Sequence, residues 1–269
     1  MDFATPALPL AVPGASDAEQ PRMPLLGLGT WQIPDDEATG AVRTALEYGY
    51  RHVDTATRYR NEAGVGRGLA ESGVARDDVF VTTKFPPDRV GEERAILEQS
   101  LSALGVERLD LWLVHAPGGE DRSDPLVSTW ERFIAARSEG LVASIGVSNY
   151  TPEQIDALER ETGVRPAVNQ IKWSPTHHDP AVAVAHAERD VVLEGYSAFR
   201  TSNLDDPVLT EIAAAHDATA AQVIIAWHVA HQWVVIPKST HAERIRANAD
   251  GIRIELTDDE VARIDGLRE

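Results

Sequence analysis

The chain has no cysteine among its 269 residues. That absence excludes a disulfide framework and leaves histidine and the carboxylates as the only strong metal ligands. Although 43% of the residues are hydrophobic, no apolar run reaches the ~18 residues of a membrane span. Positive charge is also scarce, with 25 basic residues against 43 acidic ones and a net charge of −18. Such a surface repels nucleic acid and anionic membranes, so any anion it binds must meet a local basic site. Solubility explains the charge, and adaptation to high salt would too. The start, Met1-Asp-Phe-Ala-Thr-Pro6, lacks the basic residues and unbroken apolar core of a signal peptide, which points to the cytoplasm. No Pro/Gly/Ser-rich linker, internal repeat or shift in composition divides the chain, and its length suits one large α/β domain.

Short apolar runs alternate with longer segments of helical period. Strand-like runs are Pro24–Trp31, His52–Ala56, Val79–Phe85, Leu109–His115, Val142–Asn149, Ala167–Lys172, Val191–Ser197 and Val234–Ser239. Helical patterns fall at Asp35–Tyr48, Glu62–Ser72, Glu92–Leu104, Pro125–Glu139, Pro152–Glu161, Pro180–Glu188, Thr219–His231 and Ala242–Ala249. Thr151-Pro152 reads as an N-cap with proline at the first helical position, and Thr257-Asp-Asp-Glu260 as a capping box. Eight strands, each followed by a helix, imply a parallel sheet closed into a (β/α)8 TIM barrel. A doubly wound open sheet would carry a glycine-rich first turn, whereas Gly27-Leu-Gly29-Thr-Trp31 has only two glycines at the wrong spacing. The segment Leu8–Met23 reads as an N-terminal hairpin closing the barrel bottom, with a long loop at Gly14–Gln20.

Barrel sites form at the C-terminal ends of the strands. Those ends carry Thr30 and Trp31, Asp54, Lys84, His115, Ser148 and Asn149, Gln170 and Lys172, Tyr196 and Ser197, and Lys238 and Ser239. Taken singly, Lys84 could be a solvated surface lysine and His115 a core histidine. Together with Tyr59, five residues beyond Asp54, they make a coherent set. Tyr59 would be a general acid whose pKa the Lys84 ammonium lowers, Asp54 would hold that ammonium, and His115 would hydrogen-bond the same substrate oxygen. A lyase or isomerase using Lys84 as a Schiff-base nucleophile is the competing chemistry. His177-His178 lacks nearby ligands at metal-binding spacing and reads as a surface loop. Trp227-His228 to Trp233 reads as packing at a helix end.

From about Met23 to Leu267 the sequence resembles the aldo-keto reductases, in particular their 2,5-diketo-gluconate reductase-like and aldehyde reductase-like bacterial members. The matching blocks are Gly27-Leu-Gly-Thr-Trp31, Gly49-Tyr-Arg-His-Val-Asp-Thr-Ala56 with Tyr59 and Asn61-Glu62, Thr83-Lys84, and Leu109-Asp-Leu-Trp-Leu-Val-His115. Further along come Ile145-Gly-Val-Ser-Asn149, Asn169-Gln170, Ile236-Pro-Lys-Ser239 and Arg244-Ile-Arg-Ala-Asn248. The resemblance implies the tetrad Asp54, Tyr59, Lys84 and His115, with Tyr59 protonating an aldehyde or ketone carbonyl as hydride arrives from a nicotinamide. It further implies Ser148, Asn149 and Gln170 on the carboxamide, Tyr196 stacked on the nicotinamide, and Ser197, Phe199, Thr201 and Leu204 in a loop over the pyrophosphate. Thr30 and Trp31 are expected beside the cofactor, and Lys238, Ser239, Arg244 and Asn248 at its far end.

Two cations and a hydroxyl before a helix suit a terminal phosphate, which favours NADPH over NADH. Trp31, Tyr59, Phe85, His115, Ala116 and Asn149 are the expected substrate walls. The chain departs from the family in Ala247, where a glutamate is usual, in Ala116, where a bulky aromatic is common, and in the loop Ala198-Phe-Arg-Thr-Ser-Asn-Leu204, which lacks the usual proline and glycine. A short segment Pro117–Asp124 and an end at Glu269 imply an open, broad pocket. The resemblance implies a monomer acting on a small carbonyl compound, with no nucleic-acid, membrane or metal partner. A nicotinamide-binding regulatory subunit of the same fold is its non-enzymatic alternative.

Overall fold

A computed structural model describes residues 5–12, 16, 18 and 20–268. A two-stranded antiparallel hairpin, β1 (Ala7–Pro9) with β2 (Arg22–Pro24), pairs Leu8 with Met23. Eight parallel strands follow in sequence order: β3 (Leu28–Gly29), β4 (His52–Asp54), β5 (Phe80–Phe85), β6 (Leu109–Val114), β7 (Val142–Ser148), β8 (Val168–Lys172), β9 (Val192–Tyr196) and β10 (Val234–Val235). The sheet closes on itself through a parallel bridge between Leu26 and Val235, with Gly27 N donating to Val235 O at 2.9 Å and Val235 N to Leu25 O at 2.8 Å. The fold is therefore the (β/α)8 barrel that the strand–helix alternation predicts.

The helices are α1 (Asp35–Glu47), α2 (Glu62–Glu71), α3 (Glu93–Leu104), α4 (Val127–Ser138), α5 (Pro152–Thr162), α6 (Pro180–Ala187), α7 (Pro207–Ala215), α8 (Ala220–Ala230), α9 (Ala242–Gly251) and α10 (Asp258–Asp265). Their starts are written locally. Thr151, Thr219 and Thr257 each accept a hydrogen bond from the backbone three residues on, and Gln154, Gln222 and Glu260 return it, so orphan amides at three helix starts are satisfied. Between sheet and helices, Val53, Val81, Trp112 and Ile145 point outward into an apolar layer. There the Trp112 and Phe133 rings stack at 3.6 Å.

Inside the barrel the floor is apolar, with Leu25, Phe80, Leu111, Val168 and Val234 packed on Leu10 and Met23 from the N-terminal segment. Each two-residue step up a strand returns a side chain to the interior. On β4 that step leads through His52 to Asp54, on β5 from Phe80 through Thr82 to Lys84, and on β8 from Val168 to Gln170. The interior thus grades from apolar floor to polar mouth. Gly27 makes this grading fit, because a Cβ there would lie 2.5 Å from His52 Nδ1.

Three expectations change. The first and last strands are two residues long rather than extending over Pro24–Trp31 and Val234–Ser239, because Pro24 is used by the hairpin and Pro237 has no amide to donate. Helix α7 was not expected, although Asp206 caps it by accepting from Val208 N at 2.8 Å and Pro207 opens it. His178 is buried rather than exposed, packed against Trp173 and Trp227. Trp227 and Trp233 do pack at the end of α8, 5.1 Å apart. Of the long loop expected at Gly14–Gln20, the positions Gly14, Ala15, Asp17 and Glu19 lie outside the described residues.

Candidate active site

Asp54 ends β4 and Lys84 lies one residue short of the end of β5, and both face the barrel interior. Lys84 Nζ donates to both Asp54 oxygens at 2.6 Å and to the Thr55 carbonyl at 2.9 Å. Lys84 is fully buried, so a solvent-shielded ion pair stands at the top of the barrel. The neighbouring carboxylate and the Tyr59 hydroxyl outweigh burial and hold the Lys84 pKa above its ordinary value. For Asp54, burial pushes upward while Lys84 and then Gln170 pull back. With two 2.6 Å contacts to an ammonium, the carboxyl is ionised.

A single 3-10 turn, Thr57–Tyr59, follows β4 and carries Tyr59 over this pair. The Lys84 ammonium sits 5.1 Å from the centre of the Tyr59 ring. Burial raises the Tyr59 pKa more than Lys84 lowers it, so the net shift is opposite to the one the sequence suggests. His115, just past β6, packs its ring edge-on to Tyr59 with centroids 5.7 Å apart. Burial, and then the charge of Lys84, press His115 down to about 3, which keeps the ring neutral. Its Nδ1 is buried without a partner among the described residues.

A second set lies across the mouth on β7, β8 and β9. Ser148 Oγ donates to Gln170 O at 2.8 Å, and Gln170 Nε2 donates to Asp54 Oδ2 at 2.9 Å. Asn149 takes a left-handed backbone with φ 63, which asparagine tolerates, and its amide donates to Ser148 Oγ at 2.9 Å. Its Oδ1 accepts from the Tyr196 hydroxyl at 2.8 Å. The carboxamide-recognition residues expected from sequence therefore form one network that ends on the Asp54 carboxylate.

A cleft of about 530 Å³ opens above both sets. Trp31, Asp54, Tyr59, His115, Ser148, Asn149, Gln170, Tyr196, Ser197, Phe199 and Lys238 line it, while the fully buried Lys84 does not. Other expected residues do not face it. Phe85 is fully buried between β5 and α4 against Trp112 and Phe133, because the residue after an inward lysine points outward. Thr30 is buried and donates to Asp54 O, and Thr201 donates to Ser174 Oγ and Ser197 O. Ala116 and Leu204 are not among the lining residues. Ser239 is buried and accepts from His241 N, Arg244 is exposed on the first turn of α9, and Asn248 is buried on the same helix. Several wall residues were missed, among them Gln32 and two arginines. Arg58 lines the cleft and donates to Asp88 at 2.6 Å, and Arg200 lays its guanidinium 5.1 Å from the centre of the Trp31 ring. Arg58 adjoins Tyr59 in sequence, which was its only signal.

The model of the aldo/keto reductase family matches residues 25–269. The chain belongs to that family. An aldo-keto reductase of Mycolicibacterium smegmatis is 42% identical over 248 residues, covering 91% of this chain and 90% of that protein. The crystal structure of an aldo/keto reductase from Brucella melitensis superposes with a TM-score of 0.90 at 37% identity, over 98% of this chain and 100% of that one. A Bombyx mori aldo-keto reductase solved in complex with NADP gives a TM-score of 0.88 at 32% identity, over 99% of this chain and 94% of that one. Membership makes the chain an oxidoreductase of a family that works on small carbonyl compounds with a nicotinamide cofactor.

Proposed function

We propose that this aldo-keto reductase reduces aldehydes and ketones to alcohols with NADPH, and that Tyr59 supplies the proton. The observation that carries this is the stacking of Tyr59 above the fully buried Asp54–Lys84 ion pair, at the base of a cleft also lined by a neutral His115. The residues present fit a nicotinamide dinucleotide. Ser148, Asn149 and Gln170 offer both donors and acceptors for an amide, Tyr196 offers a flat ring beside them, and Lys238 with Arg244 provides cations for a terminal phosphate. When bound, the reduced nicotinamide supplies the hydride.

The protein's own residues handle the proton. A carbonyl oxygen seated between Tyr59 and His115 takes a hydrogen bond from the neutral imidazole and the proton from the phenol. The phenolate left behind is stabilised by the Lys84 ammonium, which Asp54 holds in place, so charge grows where a cation already stands. Hydride on carbon and proton on oxygen complete the alcohol, and Tyr59 regains its proton from water in the open cleft. The raised Tyr59 pKa suits this role, since the phenol stays protonated until the substrate oxygen develops charge. A Schiff-base role for Lys84 has no support, because its nitrogen is inaccessible and kept as an ammonium.

The cofactor assignment is tested by fluorescence titration of NADPH and NADH against the wild type and Arg244→Ala. Loss of a charge-assisted contact to phosphate should weaken NADPH by about tenfold or more and NADH far less. Equal losses for the two cofactors would remove the phosphate site from α9.

A further inference from the structure

One layer below the Asp54–Lys84 pair the barrel holds another carboxyl, Glu194 of β9, which the proton transfer above does not use. It is fully buried, with its Cα in register with Gln170 on β8 and Val234 on β10. Neither of its oxygens has a hydrogen-bond partner among the described residues. The basic groups near it are both committed. Lys84 spends its contacts on the two Asp54 oxygens and the Thr55 carbonyl. His52 on β4 holds Nε2 at 3.8 Å from Glu194, too far for a hydrogen bond, and 3.2 Å from Thr82 Oγ1. His52 is also uncharged, since burial and then the charge of Lys84 press it down to about 3.

The groups that bear on Glu194 are therefore His52 and Asp54 from β4, Lys84 from β5, Gln170 from β8, the Tyr59 phenol above, and apolar Val234 from β10. An ionised carboxylate there would have only the Gln170 amide to turn to, and that amide already donates to Asp54 Oδ2 at 2.9 Å, so a charge at Glu194 would be poorly compensated in the buried interior. Glu194 must carry its proton. Burial, and then the neighbouring Asp54 charge, push it the same way, up to about 8.

We propose that Glu194 is a positioning residue of the reductase: its neutral carboxylic acid beneath the tetrad leaves the Lys84 ammonium free to support Asp54 and the Tyr59 phenolate, and loss of its proton suppresses turnover. A negative charge at Glu194 raises the pKa of both Tyr59 and Lys84, so the phenol gives up its proton less readily. The proposal rests on Tyr59 as the acid.

The test compares wild type, Glu194→Gln and Glu194→Asp, each with saturating NADPH, in kcat for carbonyl reduction and in Tm from about pH 5 to about pH 10. The glutamine keeps the shape of the protonated acid but has no proton to lose. Below about pH 7 its kcat should stay within about threefold of wild type; above about pH 8 wild type should fall by about tenfold while Glu194→Gln holds its rate. Glu194→Asp, which can still ionise, should restore the fall. Stability supplies a readout that needs no turnover. A glutamate raised from 4.5 to about 8 on folding adds stability that is complete below the lower value and is lost as pH rises through the higher one. The Tm of Glu194→Gln should therefore gain on wild type as pH increases.

Parallel kcat and Tm profiles for wild type and Glu194→Gln would overturn the proposal. So would a Tm difference that opens with pH while the kcat profiles stay parallel, since the buried acid would then not reach the tetrad. If no protein in the set turned over any carbonyl, the reductase reading would fall and the proposal with it, and the Tm profiles would separate that case from a failure of Glu194 alone.

Discussion

Asp54 and Glu194 are carboxyls sealed in adjacent layers of one barrel, and they differ in what stands within reach. Asp54 has an ammonium at 2.6 Å on both oxygens and an amide at 2.9 Å, whereas neither Glu194 oxygen has a hydrogen-bond partner among the described residues and a neutral imidazole stands 3.8 Å away. One is an anion and the other an acid. The interior itself dictates neither state, since low dielectric penalises any lone charge and spares a pair whose hydrogen bonds are complete. The position of one lysine therefore separates a reactive layer from the layer that supports it.

Breaking that difference should have the largest effect. Lys84→Met removes the cation from Asp54 and leaves it with the Gln170 amide alone. Carbonyl reduction should fall by about 10²-fold or more, and the urea-unfolding free energy near neutral pH by about 3–5 kcal/mol, the usual cost of stranding one partner of a buried pair. Part of the lost stability should return at lower pH, as Asp54 takes up a proton. Unchanged urea stability would mean that the pair does not hold the top of the barrel together.

The neutral layer can be sharpened without any mutation. His52 is pressed to about 3 and His228, buried on α8, to about 4, in each case first by burial. A histidine that charges readily only when unfolded makes the unfolded chain bind more protons between these values and about 6.5. Stability should therefore fall as the pH drops through that window, by more than carboxylate titration alone gives, and the loss should be smaller in His228→Phe. Urea midpoints taken every half unit or so of pH would show it; a flat profile from about pH 6.5 to about pH 4 would contradict neutral buried histidines.

The paired layer was legible in the sequence and the neutral one was not. Asp54, Lys84 and His115 each stand at or just past the end of an apolar strand, where period-two alternation gives way to loop chemistry, and Tyr59 follows at short range. Glu194 has the same inward phase as Tyr196, two residues on, yet a glutamate between Leu193 and Gly195 reads as an irregularity in a buried strand. Alternation also decides against Phe85 as a pocket wall, since inward Lys84 forces it outward. The cofactor network could be named by residue type, but not its closure onto Asp54, which joins Gln170 to a residue 116 positions earlier. Arg58 and Arg200 carried no pattern of their own, and only the folded cleft brings them to its wall.

The measurement that bears most directly on this account is the consumption of NADPH by wild-type and Tyr59→Phe protein across a panel of aldehydes and ketones, with NADPH affinity followed by fluorescence on the same samples. Removal of the hydroxyl alone should lower turnover by about 10²-fold or more and leave NADPH binding within about twofold, because the phenol acts on the transition state and not on the dinucleotide. A Tyr59→Phe protein that kept more than about a tenth of the wild-type rate would contradict Tyr59 as the acid, and wild-type protein that bound NADPH but reduced nothing would contradict the reductase itself.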